Sequence, residues 1–190
     1  MIRRLPFIIA IAVFLGSCGS SAQQAGELPD SDPEMTQDLL TAEGWGALTI
    51  GMTRDEVTAT VGANANPEAV SAAEPSECEQ FRPMDMPPGT LVMIERGRLS
   101  RISLGPGSEL KTEEDLGVGD PAAAVEAAYG DRAITTPHKY EPAPSEYITV
   151  WTTRGVGPDA RGIVYEIGQD GRVSHIHAGS GSIQYVEGCL

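Results

Sequence analysis

The sequence is short of cationic side chains: 13 Lys and Arg stand against 27 Asp and Glu, a formal charge of −14. Such a surface repels phosphate backbones and anionic headgroups, so a nucleic-acid partner is excluded. Glycine-rich phosphate loops, Cys-x-x-Cys pairs and basic stripes are all missing, and with them the nucleotide and dithiol chemistry those patterns carry. Aromatics make up only 5% of the chain. With so few, most of Trp45, Trp151, Tyr140, Tyr147, Tyr165 and Tyr185 are expected in the core rather than on a binding face. The longest apolar run, Leu5 to Leu15, is too short to span a bilayer.

What the chain does have begins at its N-terminus. Arg3-Arg4, the apolar run and then Leu15-Gly16-Ser17-Cys18 make a secretory signal. Leu-Gly-Ser-Cys resembles the bacterial lipobox, whose Cys receives a diacylglycerol before cleavage just ahead of it. The resemblance implies a lipid anchor on Cys18, and Gly19 in place of Asp implies transfer to the outer membrane, without fixing the leaflet; the localisation expected is an outer-membrane anchor facing the periplasm. The alternative is ordinary cleavage after Ala22, which would discard Cys18. Under lipobox cleavage the leader removes two Arg and no acid, leaving 11 bases against 27 acids, a formal −16. This acidity suits the solubility of an exported protein.

Four segments follow: a signal peptide over 1–17, an acidic flexible tether over 18–43, and two related units over 44–110 and 111–190. Gly19 to Glu43 holds six acids and no Lys or Arg, without hydrophobic periodicity apart from a possible turn of helix near Met35–Leu40. The folded part is expected to begin near Trp45.

An internal repeat supports the two units. Ile50-Gly51-Met52-Thr53 through Gly62 aligns with Val118-Gly119-Asp120-Pro121 through Gly130 at an offset of 68. Gly97-Arg98-Leu99-Ser100-Arg101-Ile102-Ser103-Leu104-Gly105 aligns with Gly171-Arg172-Val173-Ser174-His175-Ile176-His177-Ala178-Gly179 at an offset of 74. Thr53 and Glu56 form a capping box, with Val57 and Val61 on one helical face. In the second copy Asp120 is expected to cap and Pro121 to start the helix. Strands are expected over Cys78–Arg82, Thr90–Glu95, Arg98–Leu104, Tyr147–Thr152, Gly162–Ile167, Arg172–Ala178 and Ser182–Val186, with hairpin turns at Arg96-Gly97 and Gly168–Gly171. The fold class expected is α+β: two tandem helix-plus-antiparallel-meander repeats forming one helix-on-sheet domain.

The stretch Leu48-Thr49-Ile50-Gly51-Met52-Thr53-Arg54-Asp55-Glu56-Val57 resembles the start of a small envelope fold shared by two families. These are the β-lactamase inhibitor protein and the small lipoprotein subunit of the outer-membrane β-barrel assembly machine. The resemblance covers that helix start and a degraded copy of it. It implies helices on a four-stranded sheet in each repeat, and a partner protein bound by the sheet face or its loops.

With Cys18 consumed or removed, Cys78 and Cys189 remain, and an oxidising compartment suggests one disulfide between them. His175 and His177 project to one strand face, as metal ligands can, but the aligned Arg101 and Ser103 indicate a polar face, and nothing in the sequence places His138 nearby. Gly179-Ser180-Gly181-Ser182 lacks the setting of a nucleophile elbow and reads as a flexible loop. Glu77, Glu79 and Glu113-Glu114-Asp115 read as solvated acids. No catalytic residue, metal ligand or cofactor is assigned. Two functions remain: a non-enzymatic, lipid-anchored module that binds an envelope protein, and a small-ligand or metal-binding protein or hydrolase. The first requires an exposed apolar sheet face. The second requires a pocket where polar groups, including the histidines, converge.

Overall fold

The computed structural model describes residues 38–68, 74 and 76–189. The signal peptide, Cys18 and most of the tether lie outside them. Among the described residues no helix is long and apolar enough to cross a membrane.

The chain is predominantly β. Strands β1 (Leu40–Thr41), β2 (Gly44–Trp45) and β3 (Leu48–Thr49) form a small antiparallel sheet. Helix α1 (Arg54–Val61) precedes β4 (Cys78–Phe81), β5 (Thr90–Glu95) and β6 (Arg98–Leu104). Helix α2 (Ala122–Tyr129) precedes β7 (Ile134–Pro137), β8 (Glu146–Thr153), β9 (Arg161–Ile167) and β10 (Val173–Gly179). β4 to β10 form one seven-stranded antiparallel sheet in the order β4-β5-β6-β10-β9-β8-β7, closed in the middle by β6 against β10.

This overturns the α+β, helix-on-sheet expectation. Each helix has eight residues and buries only two side chains against the core, Val57 and Val61 in α1, Val125 and Tyr129 in α2. Two-turn helices of this size cover a patch of sheet and do not make a layer. The main core comes from alternate strand residues such as Val92, Ile102, Leu104, Ile148, Tyr165 and Ile176. The three-stranded sheet leaves no mark in the sequence, because two-residue strands show no alternation. Leu40, expected in the tether, is 0% exposed and hydrogen-bonds through its backbone to Lys111 and Glu113.

Local expectations fared unevenly. The Thr53–Glu56 capping box forms, and Gly62 ends α1 at φ 81°. Asp120 does not cap α2; its carboxylate accepts from Lys111 Nζ at 2.9 Å and from the Gly117 N–H at 2.7 Å, and Pro121 takes the cap position. The strand expected over Ser182–Val186 is instead a 3-10 turn over Gly181–Gln184. β7 was not foreseen.

The two aligned blocks dock alike. Gly51 N–H donates to the Leu99 carbonyl, and Gly119 N–H to that of Val173, both at 2.8 Å. Arg98 Nη1 reaches the Gly51 carbonyl and Arg172 Nη1 the Gly119 carbonyl, again both at 2.8 Å.

Candidate functional site

The second face of the large sheet, away from the helices, carries the chain's chemistry. Its side chains are set by a matched pair of β-bulges. In β6 the pairing shifts so that Ile94 faces Leu99 but Met93 faces Arg101, leaving Ser100 extra. In β10, Val173 faces Ile167 but His175 faces Glu166, leaving Ser174 extra. Because strand side chains alternate, one extra residue turns every later side chain to the opposite face. Val173 thus stays in the core while His175 and His177 emerge on the second face with Ile176 buried between them. The bulge serines each bond to the neighbouring strand, Ser100 Oγ to the Met93 carbonyl at 3.3 Å and Ser174 Oγ to the Glu166 carbonyl at 3.1 Å.

All three histidines of the chain converge on Glu166. His175 Nδ1 lies 3.8 Å from its Oε1, His177 Nε2 lies 3.8 Å from its Oε2, and His138 Nε2 lies 3.5 Å from Oε1. Nothing in the sequence places His138 here. It follows β7 and stacks on Tyr147, with ring centroids 4.7 Å apart, and Tyr147 faces Glu166 across β8 and β9. Its Nδ1 accepts from the backbone N–H groups of Tyr140 (3.2 Å) and Glu141 (3.1 Å). In the neutral ring that puts the proton on Nε2, facing Glu166. His177 Nδ1 meets Ser103 Oγ at 2.9 Å, across the β6–β10 pairing.

The nearby His177, aided by His175 and His138, holds the Glu166 carboxyl down at about 2, against the opposing effect of burial. Burial pushes His177 down to about 4, outweighing the attraction of Glu166. At neutral pH the cluster is therefore an ionised carboxylate beside a neutral His177.

Two features of this geometry bear on metal and serine chemistry. Among the described residues no group of three or more His, Cys, Asp or Glu side chains is arranged to hold a metal ion. The Nε2 of His138, the nitrogen nearest Glu166, carries a proton where a ligand needs a lone pair. Ser103, His177 and Glu166 form a serine–imidazole–carboxylate series, but Ser103 lies mid-strand and is 7% exposed. An imidazole pushed down to about 4 is also a weak base for a serine hydroxyl.

The C-terminal segment lies against this face. Arg101, 4% exposed, donates through Nη1 to the carbonyls of Ser182 (3.1 Å) and Tyr185 (2.9 Å). Cys78 and Cys189 form a disulfide with Cα atoms 5.5 Å apart. Ser180 and Ser182, expected in a flexible loop, are 4% and 2% exposed, and Ser182 Oγ donates to the Ser100 carbonyl. A pocket of about 360 Å³ opens beside the segment, lined by Gln80, Arg82, Arg101, Ser103, Glu166, His175 and His177 with Val186, Glu187 and Gly188. Of the acids expected to be solvated, Glu79 instead pairs with Arg54 at 2.7 Å and Glu114 accepts from the Tyr129 hydroxyl at 2.8 Å.

Glu166 drew no attention in the sequence. Its alternation with Tyr165 is visible there, but the hairpin turn alone would set it opposite Ser174. Only the bulge brings His175 there. No family model matches the chain, and comparison with curated proteins and with solved structures gives no match.

Proposed function

We propose that the chain is an envelope lipoprotein, anchored through Cys18 at the outer membrane, whose folded part binds a small ligand without turning it over. The convergence of His138, His175 and His177 on Glu166 at the wall of a pocket carries this reading. Such convergent polar groups in a concavity are the usual mark of a ligand site. The protein-binding reading needs an apolar sheet face, and where this face opens it presents Glu166 and His175. The Leu-Gly-Ser-Cys signal and the formed disulfide support the envelope address.

Native mass spectrometry of the protein extracted from its membrane tests both parts. A diacylglyceryl mass on Cys18 and a small non-covalent adduct are expected, the adduct changed in occupancy in Glu166→Gln. A chain starting at unmodified Gln23 would remove the anchor. A protein captured by crosslinking through the second sheet face, with no small adduct at any concentration, would restore the protein-binding reading. An adduct of zinc or copper would overturn the tautomer assigned to His138.

A further inference from the structure

Resting on that small-ligand reading, we infer that the pocket takes a small anion, a carboxylate or a phosphate, held by Arg82, Arg101 and Gln80. Two carboxylates line the pocket, and both already have partners. Glu166 faces the three imidazoles. Glu187, on the C-terminal segment, lies 3.5 Å from Lys139 Nζ and accepts from the Tyr140 hydroxyl.

The cationic groups of the same pocket are not matched in this way. Among the described residues, neither Arg82 nor Arg101 has a carboxylate oxygen within 4.0 Å. Arg101 is 96% buried, touches only backbone carbonyls through Nη1, and its Nε has no acceptor. Burying a guanidinium is costly. Glu95 and Glu166 act on Arg101 only from beyond contact distance and do not offset its burial, and an anion in contact lowers that cost. Gln80 Nε2 is a second buried donor without an acceptor. The His175 ring, whose side chain is 40% exposed, extends the donor wall. In a chain of charge −14, two guanidinium groups without a carboxylate contact and a buried amide without an acceptor, all in one concavity, point to an acceptor-rich ligand. About 360 Å³ is the space of roughly a dozen water molecules, which suits a small molecule rather than a peptide.

The test is calorimetric titration of the mature protein at pH 7.5 and low salt with succinate, inorganic phosphate, glucose and putrescine. Imidazole NMR resonances of His175 and His177 are followed in parallel. At least one anion is expected to bind saturably and shift those resonances, with affinity at least tenfold weaker in Arg82→Gln. Arg82 is exposed, so that variant keeps the fold. Arg101→Lys, which keeps the charge and loses the fork, is expected to weaken binding similarly; if it does not fold, Gln80→Leu takes its place. Binding of succinate alone identifies a carboxylate site, and of phosphate alone a phosphate site. Anion binding that Arg82→Gln leaves unchanged overturns the inference, as does binding of glucose or putrescine while both anions fail. In that last case the small-ligand reading survives. If no probe binds or moves the imidazole resonances, both fall.

Discussion

A carboxylate ringed by imidazoles responds to acid in stages, and the sign follows from each group. His177 is pushed down to about 4 in the folded chain, from an ordinary 6.5. Between those values the unfolded chain takes up a proton that the folded chain refuses. Its contribution to stability is complete above 6.5 and is lost as pH falls toward 4. Glu166 is held at about 2, below its ordinary 4.5. Its contribution is complete above 4.5 and is lost as pH falls toward 2. The thermal midpoint is therefore expected to drop from pH 6.5 downward, first through His177 and then through Glu166. One full proton limits each slope to about 1.4 kcal/mol per pH unit. His177→Gln, whose amide can still meet Ser103, is expected to flatten the curve between pH 6.5 and 4.5 relative to the parent. Equal slopes in the two proteins would remove the burial of His177 as the cause. Little of this was legible at the residue level. Three isolated histidines carry no mark of proximity, and Glu166 looks like any acid on a strand.

At the scale of elements, signals that act within a few residues were readable. The Thr53–Glu56 box, the Arg96-Gly97 turn with φ of 50° and 75°, and the alternation of β5, β6 and β9 all follow from neighbours in sequence. The bulges were not readable, because an extra residue in a ladder depends on the partner strand. Ser100 and Ser174 nevertheless occupy equivalent places in the two aligned blocks, and each decides which face its successors meet. Ser174→Ala keeps the chain length and loses one hydrogen bond to the Glu166 carbonyl, so a loss of about 1 kcal/mol is expected. Deleting Ser174 removes the bulge itself. His175 and His177 would then turn into the core and Ile176 out of it, and no cooperative unfolding transition is expected. A deletion variant with parental stability would show that the bulge does not set the register. Chemical denaturation of both variants separates a lost hydrogen bond from a lost register.

Over the whole molecule, the cysteine pairing was readable from counting and compartment, while the joining of β6 to β10 was not. That pairing is non-local, and both of its strands carry a bulge. The disulfide encloses the entire large sheet. Its sequence separation of 111 runs from the first residue of β4 past β10 to the C-terminal segment. In the chain-entropy model, closing a loop of that length removes about 4–5 kcal/mol of freedom from the unfolded chain. For a domain of this size that corresponds to a thermal midpoint lower by about 10 °C in Cys78→Ser/Cys189→Ser. The loss is expected to be uneven in the native state. Residues 185–189 would lose their covalent hold and keep the Arg101 grip on the Ser182 and Tyr185 carbonyls. Amide exchange should therefore rise there by more than in β6 and β10, whose ladder is untouched. Val186, Glu187 and Gly188 form one wall of the pocket, so ligand affinity should fall along with that protection. A double variant with parental midpoint and parental exchange at 185–189 would mean that Arg101 alone holds the segment. A lower midpoint with ligand affinity intact would confine the disulfide to the unfolded chain and leave the pocket wall to the guanidinium.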